Sequence, residues 1–155
     1  MFADNSKSYE KSNKHPSVSL NSFSKSYMKA MLNSGESIAK RKEKGQELLD
    51  YLCDKFHIDR LPLIVTASPR PKRVRGNTTS ERHGFYTHIG SKGLSITIYN
   101  TTAVKQQVVA IKTFVETLLH EFVHHYDYNV LKLDKSLHCS GFYHRIGDLQ
   151  AKLTA

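Results

Sequence analysis

The sequence predicts an α+β domain in which a small β-sheet is flanked by helices. Two observations carry this prediction. Apolar residues recur at helical spacing in three long segments, and short β-branched runs with period-two alternation lie between the first and second of these segments. A chain of 155 residues that is 39% hydrophobic can bury one core, so we expect a single domain.

The N-terminal segment is polar. Residues 1–17 are rich in Ser, Lys and Asn and offer almost nothing apolar to bury, so ordering them would cost conformational entropy with little return. We therefore expect a disordered basic tail over residues 1–17 and the folded domain over residues 18–155.

Two helical segments precede the predicted strands. Residues 18–32 have an apolar spacing that permits a helix, although many of them are serines. Residues 36–56 carry a stronger apolar stripe, with Asn33 or Ser34 as the candidate N-cap.

The strands are expected in the middle of the chain. "LPLIVTA" (residues 61–67) is a short β-branched run and predicts a strand, whereas "SPRPKRVRGNTTSER" (residues 68–82) contains prolines and a glycine and predicts a loop. "HGFYTHIG" and "LSITIYN", separated by "SKG", have the alternation of a β-hairpin. A long helix over residues 103–131 and a final one over residues 140–153 complete the domain.

The long helix carries a His-Glu-x-x-His pattern at His120, Glu121 and His124. At about 100° per residue the two histidines lie on one side of the helix, roughly opposite its apolar stripe, so that both imidazoles can reach one metal ion. Glu121 is turned away by about 100° and can accept a proton from a water on that ion. The alternative interpretation is that these histidines only occupy the polar face of a helix in a chain with nine histidines.

A third ligand could come from the segment that follows the long helix. A catalytic zinc site takes three protein ligands and leaves one position open. "SLHCSGFYHRI" offers His138 and His144, and a chain reversal after the helix could return either of them to the ion.

"TLLHEFVHH" followed by "HCSGF" resembles the SprT-like metallopeptidases, a family that includes the Spartan-type DNA–protein crosslink proteases. In that family the active helix carries His-Glu-x-x-His, and the third ligand is a histidine at the start of the next helix, four residues before a phenylalanine. The resemblance spans roughly residues 36–153 and favours His138, which stands four residues before Phe142. Position 139 is Cys where the family often has Gly, and the sequence holds no Cys-rich zinc ribbon.

The resemblance implies a zincin-like minimal metallopeptidase domain, with a small sheet packed on the active-site helix and flanking helices. It implies Zn²⁺ bound by His120, His124 and His138, with Glu121 as the general base in the hydrolysis of peptide bonds in protein substrates. The same chemistry could also attack a carbonyl group other than a peptide.

Further site residues are expected around these ligands. Asp127 lies on the ligand side of the helix and is the first choice for a carboxylate that supports an imidazole; the alternative is an ordinary aspartate near a helix end. His125 is turned away from His124 and is expected to be structural or exposed. Four residues could stabilise a developing oxyanion, and the sequence does not choose among them: Tyr126, Tyr128, Tyr143 and Arg145.

The charge balance suggests a polyanionic partner. Lys and Arg number 23 against 14 acidic residues, a formal net charge of +9. Within the predicted loop, the candidates for sequence-independent DNA binding are Arg70, Lys72, Arg73 and Arg75. The alternatives are a solvated charged surface or, as a different function, a nucleic-acid-binding module whose metal site is structural or degenerate.

The compartment is inferred from what the sequence lacks. It has two cysteines, no apolar leader and no run of about 18 apolar residues, so we expect no disulfide framework and no membrane partner. We expect a cytoplasmic monomer, with a nuclear or nucleoid-associated location as the alternative.

Overall fold

The computed structural model describes residues 4–88 and 93–154. Within these ranges the mixed α+β class is confirmed. The elements, in chain order, are α1 (Ser6–Asn13), α2 (Ser26–Leu32), α3 (Ile38–Lys55), β1 (Leu63–Pro69), β2 (Lys72–Arg75), β3 (Thr78–Glu81), β4 (Gly84–His88), β5 (Leu94–Thr101), α4 (Ile111–Asn129) and α5 (Ser140–Thr154). None of the described helices combines the length and apolar composition that crossing a membrane requires.

The central strand of the main sheet is β5. The sheet has three strands in the order β1-β5-β4, in which β5 runs parallel to β1 and antiparallel to β4. The predicted hairpin is therefore confirmed for its two strands, whereas its connection, residues 89–92, lies outside the described residues. Because β4 is at the edge of the sheet, one of its sides has no strand partner among the described residues.

Helix α4 lies in the middle of the hydrophobic core. Its apolar side chains, among them Phe114, Leu118 and Phe122, are fully buried. The core also contains Leu48 and Leu52 of α3, Ile96 and Ile98 of β5, and Phe142 and Leu149 of α5. Burying one side chain of this size contributes about 1.5–3 kcal/mol, so packing on three sides fixes the position of α4 firmly.

The predicted disordered tail is wrong for residues 4–17, because residues 6–13 form α1 and dock on α5. The contacts that hold this segment are polar. Ser12 is buried, and its carbonyl and hydroxyl oxygens accept hydrogen bonds from Arg145 at 2.7 and 2.8 Å. A prediction that counts only apolar residues cannot detect such an anchor.

The long helix begins later than predicted, at Ile111 rather than Ala103. The residues before it are held in a non-helical conformation by a buried arginine. Arg41 donates to the Val109 carbonyl at 2.6 Å and to Asn100 Oδ1 at 2.7 Å, while the Val109 amide donates to the Asn100 carbonyl. This arginine is distant in sequence, so local periodicity cannot reveal its effect.

The predicted loop over residues 68–82 is also wrong, because it contains the two-stranded sheet β2–β3. Arg75 pairs with Thr78, which leaves a two-residue turn in which Gly76 has a φ of 57°. A glycine followed by asparagine suits such a turn, since left-handed backbone is accessible to both. The same glycine, together with the two prolines and the polar residues around it, also fits a loop, which is why the sequence predicts one here. We call β2–β3 the basic hairpin.

The remaining helices follow the predictions more closely. Helix α3 lies within the predicted range, with Ser37 rather than Asn33 or Ser34 as its N-cap: the Ser37 hydroxyl accepts from the Lys40 amide. Helix α5 begins at Ser140 as predicted.

Candidate metal centre

Three histidine side chains converge beside α4. Nε2 of His138 lies 3.1 Å from Nε2 of His120 and 3.1 Å from Nε2 of His124. The three potential ligand atoms all lie within 4.8 Å of one another, close enough to bind one metal ion. Two nitrogens that share a tetrahedral zinc ion are about 3.3 Å apart, given a Zn–N bond of about 2.0–2.1 Å, so the two distances from His138 fit such an ion. We call these three residues the histidine cluster.

His138 joins the cluster because the chain reverses after α4. The Leu133 amide donates to the Asp127 carbonyl at 3.1 Å, and the Leu133 side chain is buried. Phe142 is fully buried, with its ring centroid 4.5 Å from that of His124. The cluster therefore takes His138, while His144 is exposed further along α5.

The two imidazoles on α4 are held neutral. Burial, together with the neighbouring histidines, lowers the pKa of His120 to about 4 and that of His124 to about 3. Neutral imidazole is the form that binds a metal ion.

A chain of polar groups lies behind His124, on the Nδ1 side of its ring, and runs from the half-buried Ser136 to the fully buried Arg145. Asp127 receives two hydrogen bonds of 2.9 Å from Arg145, and both side chains are fully buried. The Ser136 hydroxyl donates to Asp127 Oδ2 at 2.7 Å and lies 2.7 Å from Nδ1 of His124. Because the only hydroxyl hydrogen of Ser136 is directed at Asp127, Nδ1 of His124 must be the donor to Ser136.

This chain sets the tautomer of the ligand. With the proton on Nδ1, the lone pair of His124 is on Nε2, directed at the centre of the cluster. The structure thus places the predicted support residue Asp127 behind His124, but one residue removed, with Ser136 between them. Ser136 is not among the predicted site residues, because a serine in a short connection carries no signal that marks it as one.

Glu121 is the second unusual carboxylate of α4. It is 6% exposed, and its Oε2 has no hydrogen-bond partner among the described residues. Burial raises the pKa of its carboxyl to about 7, an effect that the positive charge of Arg82 opposes. Most buried polar atoms have a partner, so an unpaired one beside a ligand cluster marks a position where a polar group can be received.

The histidine cluster and Glu121 lie at the junction of two adjoining cavities of about 450 and 440 Å³. We call the two together the cleft. One half is lined by Glu81, His83, Glu116 and Tyr143, and the other by Phe85, Tyr86, His88 and Tyr128.

Gly84 of β4 lines both halves of the cleft. A side chain there would meet the Thr97 carbonyl oxygen at 2.6 Å and Thr117 of α4 at 3.0 Å. A Cβ atom at this position would press on the backbone of β5 and on Thr117 of α4, so glycine permits the close packing of β4 where it lines the cleft.

Of the four residues considered for oxyanion stabilisation, two are buried away from the cleft and two line it. Tyr126 is buried and accepts from the Ser19 amide, and Arg145 is buried against Asp127. Tyr128 and Tyr143 are the two that line the cleft.

His125 is structural, one of the two roles expected for it. It is fully buried, and its nitrogens lie 2.7 Å from the Asp59 carbonyl and 2.8 Å from the Tyr86 hydroxyl.

The set of candidate DNA-binding residues has to be corrected for Arg70. Its side chain is only 9% exposed and forms a salt bridge of 3.1 Å with Glu81, so it holds the base of the basic hairpin and offers little surface to a phosphate. Lys72, Arg73 and Arg75 lie on β2 and are exposed.

Comparison of the chain with protein-family models, with curated proteins and with solved structures finds no match.

Proposed function

We propose that this chain is a zinc-dependent peptidase of the SprT-like kind, which hydrolyses peptide bonds in protein substrates. One observation carries the proposal: three imidazole nitrogens converge beside a buried carboxylate, one oxygen of which has no partner among the described residues, at the centre of an open cleft. The zincin-like arrangement implied by the resemblance is part of this proposal. The edge strand β4 along the cleft supports it.

The histidine cluster suits a catalytic ion better than a structural one. Structural zinc sites are closed by four protein ligands, whereas catalytic sites have three and an open position. In the described part of the chain, the cluster consists of three ligands, and the most exposed of them, His138, opens on the cleft.

The protein groups divide the reaction among them. Zn²⁺ in the histidine cluster would supply Lewis acidity and lower the pKa of a coordinated water. Glu121 accepts the proton of the attacking water and delivers it to the leaving amine. Tyr128 and Tyr143, which both line the cleft, are the candidates to donate a hydrogen bond to the developing oxyanion.

The substrate is a polypeptide in extended conformation. Strand β4 offers an edge with no strand partner among the described residues, and its residues line both halves of the cleft. An extended chain can add to such an edge through main-chain hydrogen bonds, which do not depend on its sequence. An unfolded segment is therefore the preferred substrate.

The test measures zinc content and cleavage together. Purified protein should contain one equivalent of zinc and cleave a generic unfolded protein, and a chelator should stop the cleavage. His138→Ala should empty the site, whereas the matched change His144→Ala should leave zinc and cleavage intact. Absence of zinc from the wild type would refute the proposal. Full zinc occupancy without cleavage would favour a structural metal site instead.

A second candidate function, sequence-independent DNA binding, is favoured by the basic hairpin. Lys72, Arg73 and Arg75 are exposed, and within the described residues none of them forms a salt bridge. Each can neutralise one phosphate, so binding should weaken steeply with salt. Lys72 and Arg73 line a further cavity, and Arg82 lines both this cavity and the cleft. DNA bound to the basic hairpin would therefore lie close to the substrate site.

Reversal of the three hairpin charges to Glu tests this function. DNA affinity at physiological salt should fall by at least tenfold, while zinc content and DNA-independent cleavage remain unchanged. The matched control reverses the charge of three exposed lysines away from the hairpin: Lys29 of α2, and Lys40 and Lys42 of α3. Equal DNA binding by the hairpin variant and the wild type would exclude the hairpin as the DNA site.

A further inference from the structure

We infer that the N-terminal helix α1 is a positioning element of the metal centre: Ser12 and Asn13 hold two of the ligands, His124 and His138, in place from behind. The inference rests on the proposed metal site and goes beyond it. It assigns a role in metal affinity to a segment that contributes nothing to the cleft itself.

The first connection runs to His124. Arg145 is fully buried, and its guanidinium is shared between Asp127 and the N-terminal segment. On one side it donates two hydrogen bonds to Asp127, which supports His124 through Ser136. The other side donates to the Ser12 carbonyl and hydroxyl oxygens at 2.7 and 2.8 Å, and to the His15 carbonyl at 2.8 Å. Without the N-terminal segment, Arg145 would lose three of its five hydrogen bonds.

The second connection runs to His138. The Asn13 Oδ1 atom accepts a hydrogen bond of 2.7 Å from the amide of Gly141, in the first turn of α5. Cys139, the residue after His138, donates from Sγ to the Ser12 hydroxyl at 3.2 Å. The end of α1 thus satisfies an amide that the first turn of a helix leaves without an intrahelical partner, and it fixes the chain on both sides of Ser140.

The packing at this contact is as specific as its hydrogen bonds. A side chain at Gly141 would meet the Ser12 carbonyl oxygen at 2.5 Å and Asn13 Cα at 2.8 Å. Both close atoms belong to backbone and cannot move aside easily, so the fit of α1 requires glycine at this position. In the sequence "HCSGF", His138 therefore belongs to the histidine cluster, and Gly141 leaves the space that α1 needs to pack.

His138 is the ligand that most needs such support. It is exposed, and it comes from the connection between helices rather than from α4. Partners behind metal ligands typically account for 10- to 100-fold in metal affinity, because they restrict the ligand to the orientation that binds.

The experiment measures the zinc dissociation constant of the full chain by competition with a chelator. Asn13→Ala removes the acceptor for the Gly141 amide and should weaken zinc binding by about tenfold. Asn13→Asp keeps an acceptor oxygen at the N-terminus of α5 and should restore the affinity to within about twofold. Lys11→Ala, at an exposed position of the same helix, is the matched control and should bind zinc like the wild type.

Gly141→Ala breaks the same contact from the opposite side, by steric pressure on α1, and should also weaken zinc binding. Thermal unfolding of the zinc-free proteins, measured in parallel, separates positioning from simple anchoring. If Asn13→Ala and Gly141→Ala lower the Tm but leave the zinc affinity within twofold of the wild type, α1 is only a structural anchor and the inference is overturned. If the wild type itself binds no zinc, both the inference and the proposed function fail.

Discussion

Glu121 and Asp127 are two buried carboxylates on one helix, six residues apart, and they have opposite environments. Asp127 is fully buried and receives hydrogen bonds from Arg145 and Ser136. Glu121 is almost as deeply buried, yet its Oε2 has no partner among the described residues. The first lies behind the histidine cluster, and the second lies at its open side, in the cleft.

The difference shows how one helix serves both packing and chemistry. A buried carboxylate that accepts two hydrogen bonds from an arginine is held in one orientation, and it restricts the orientation of the groups that donate to it. A buried carboxylate without a partner is costly for stability, but it stays free to accept a proton. Under the proposed function, Glu121 accepts a proton from the attacking water, whereas Asp127 positions the ligand His124. Substitution of each residue should therefore change different measured quantities.

The largest effect should come from Glu121→Gln. Glutamine has nearly the same shape but cannot accept the proton of the attacking water, so the rate of peptide hydrolysis should fall by a factor on the order of 10² to 10⁴ or more. Zinc content should be unchanged, and the free energy of unfolding should not fall, because glutamine brings no charge to desolvate. The measurements are cleavage of an unfolded protein, bound zinc and denaturant unfolding.

The matched control for that substitution is Glu43→Gln, a change at an exposed position of α3. It should leave all three quantities as they are. Cleavage that persists in Glu121→Gln would remove the difference between the two carboxylates and end the proposed mechanism.

Asp127→Asn should act on stability and metal affinity instead. The substitution leaves the buried guanidinium of Arg145 without its counter-charge, and breaking a buried pair in this way costs about 3–5 kcal/mol. Zinc binding should also weaken, since the amide has one acceptor oxygen where the carboxylate has two, and Arg145 and Ser136 then compete for it. Denaturant unfolding of the zinc-free protein and chelator competition measure the two effects.

Asp134→Asn, at an exposed aspartate in the connection after α4, is the control for Asp127→Asn and should change neither quantity. A loss of less than about 1 kcal/mol at Asp127, the range of exposed ion pairs, would mean that this carboxylate does not depend on its buried partner.

The open side of the site could be predicted from the sequence because its residues are close together in the chain. His120, Glu121 and His124 occupy one helix, where a period of 3.6 residues determines which side chains meet. His138 required the resemblance, since spacing alone left His144 as an alternative. Short-range patterns likewise predicted α5 and the β4–β5 hairpin.

Apart from Asp127, the side behind the cluster could not be predicted, because it is assembled by long-range polar contacts. Arg145 joins Asp127 to Ser12, and Arg41 holds the backbone before α4, although each pair of partners is far apart in sequence. A hydrophobic pattern contains no trace of a buried arginine that bonds to backbone carbonyls. This is also why the tail was predicted to be disordered: residues 4–17 are ordered by hydrogen bonds rather than by apolar burial.

The smallest effect is expected at the single hydroxyl that links Asp127 to the metal ligand His124. Ser136→Ala removes the acceptor of the His124 Nδ1 proton, 2.7 Å away. The ring then no longer gains from keeping its proton on Nδ1, and part of the population moves it to Nε2, which cannot bind a metal in that form. Loss of one such hydrogen bond costs about 1 kcal/mol, so zinc affinity should fall by roughly five- to tenfold.

Two companion variants decide whether the hydroxyl itself is responsible. Ser136→Thr retains the hydroxyl and should bind zinc within about twofold of the wild type, and Ser22→Ala, at an exposed serine far from the site, should have no effect. The imidazole nitrogen shifts in the NMR spectrum of the zinc-free protein provide an independent readout, since they distinguish the two tautomers of His124. If Ser136→Ala leaves both the zinc affinity and these shifts unchanged, then Asp127 stabilises the fold without positioning the ligand. The two carboxylates, Glu121 and Asp127, then differ only in whether they have hydrogen-bond partners.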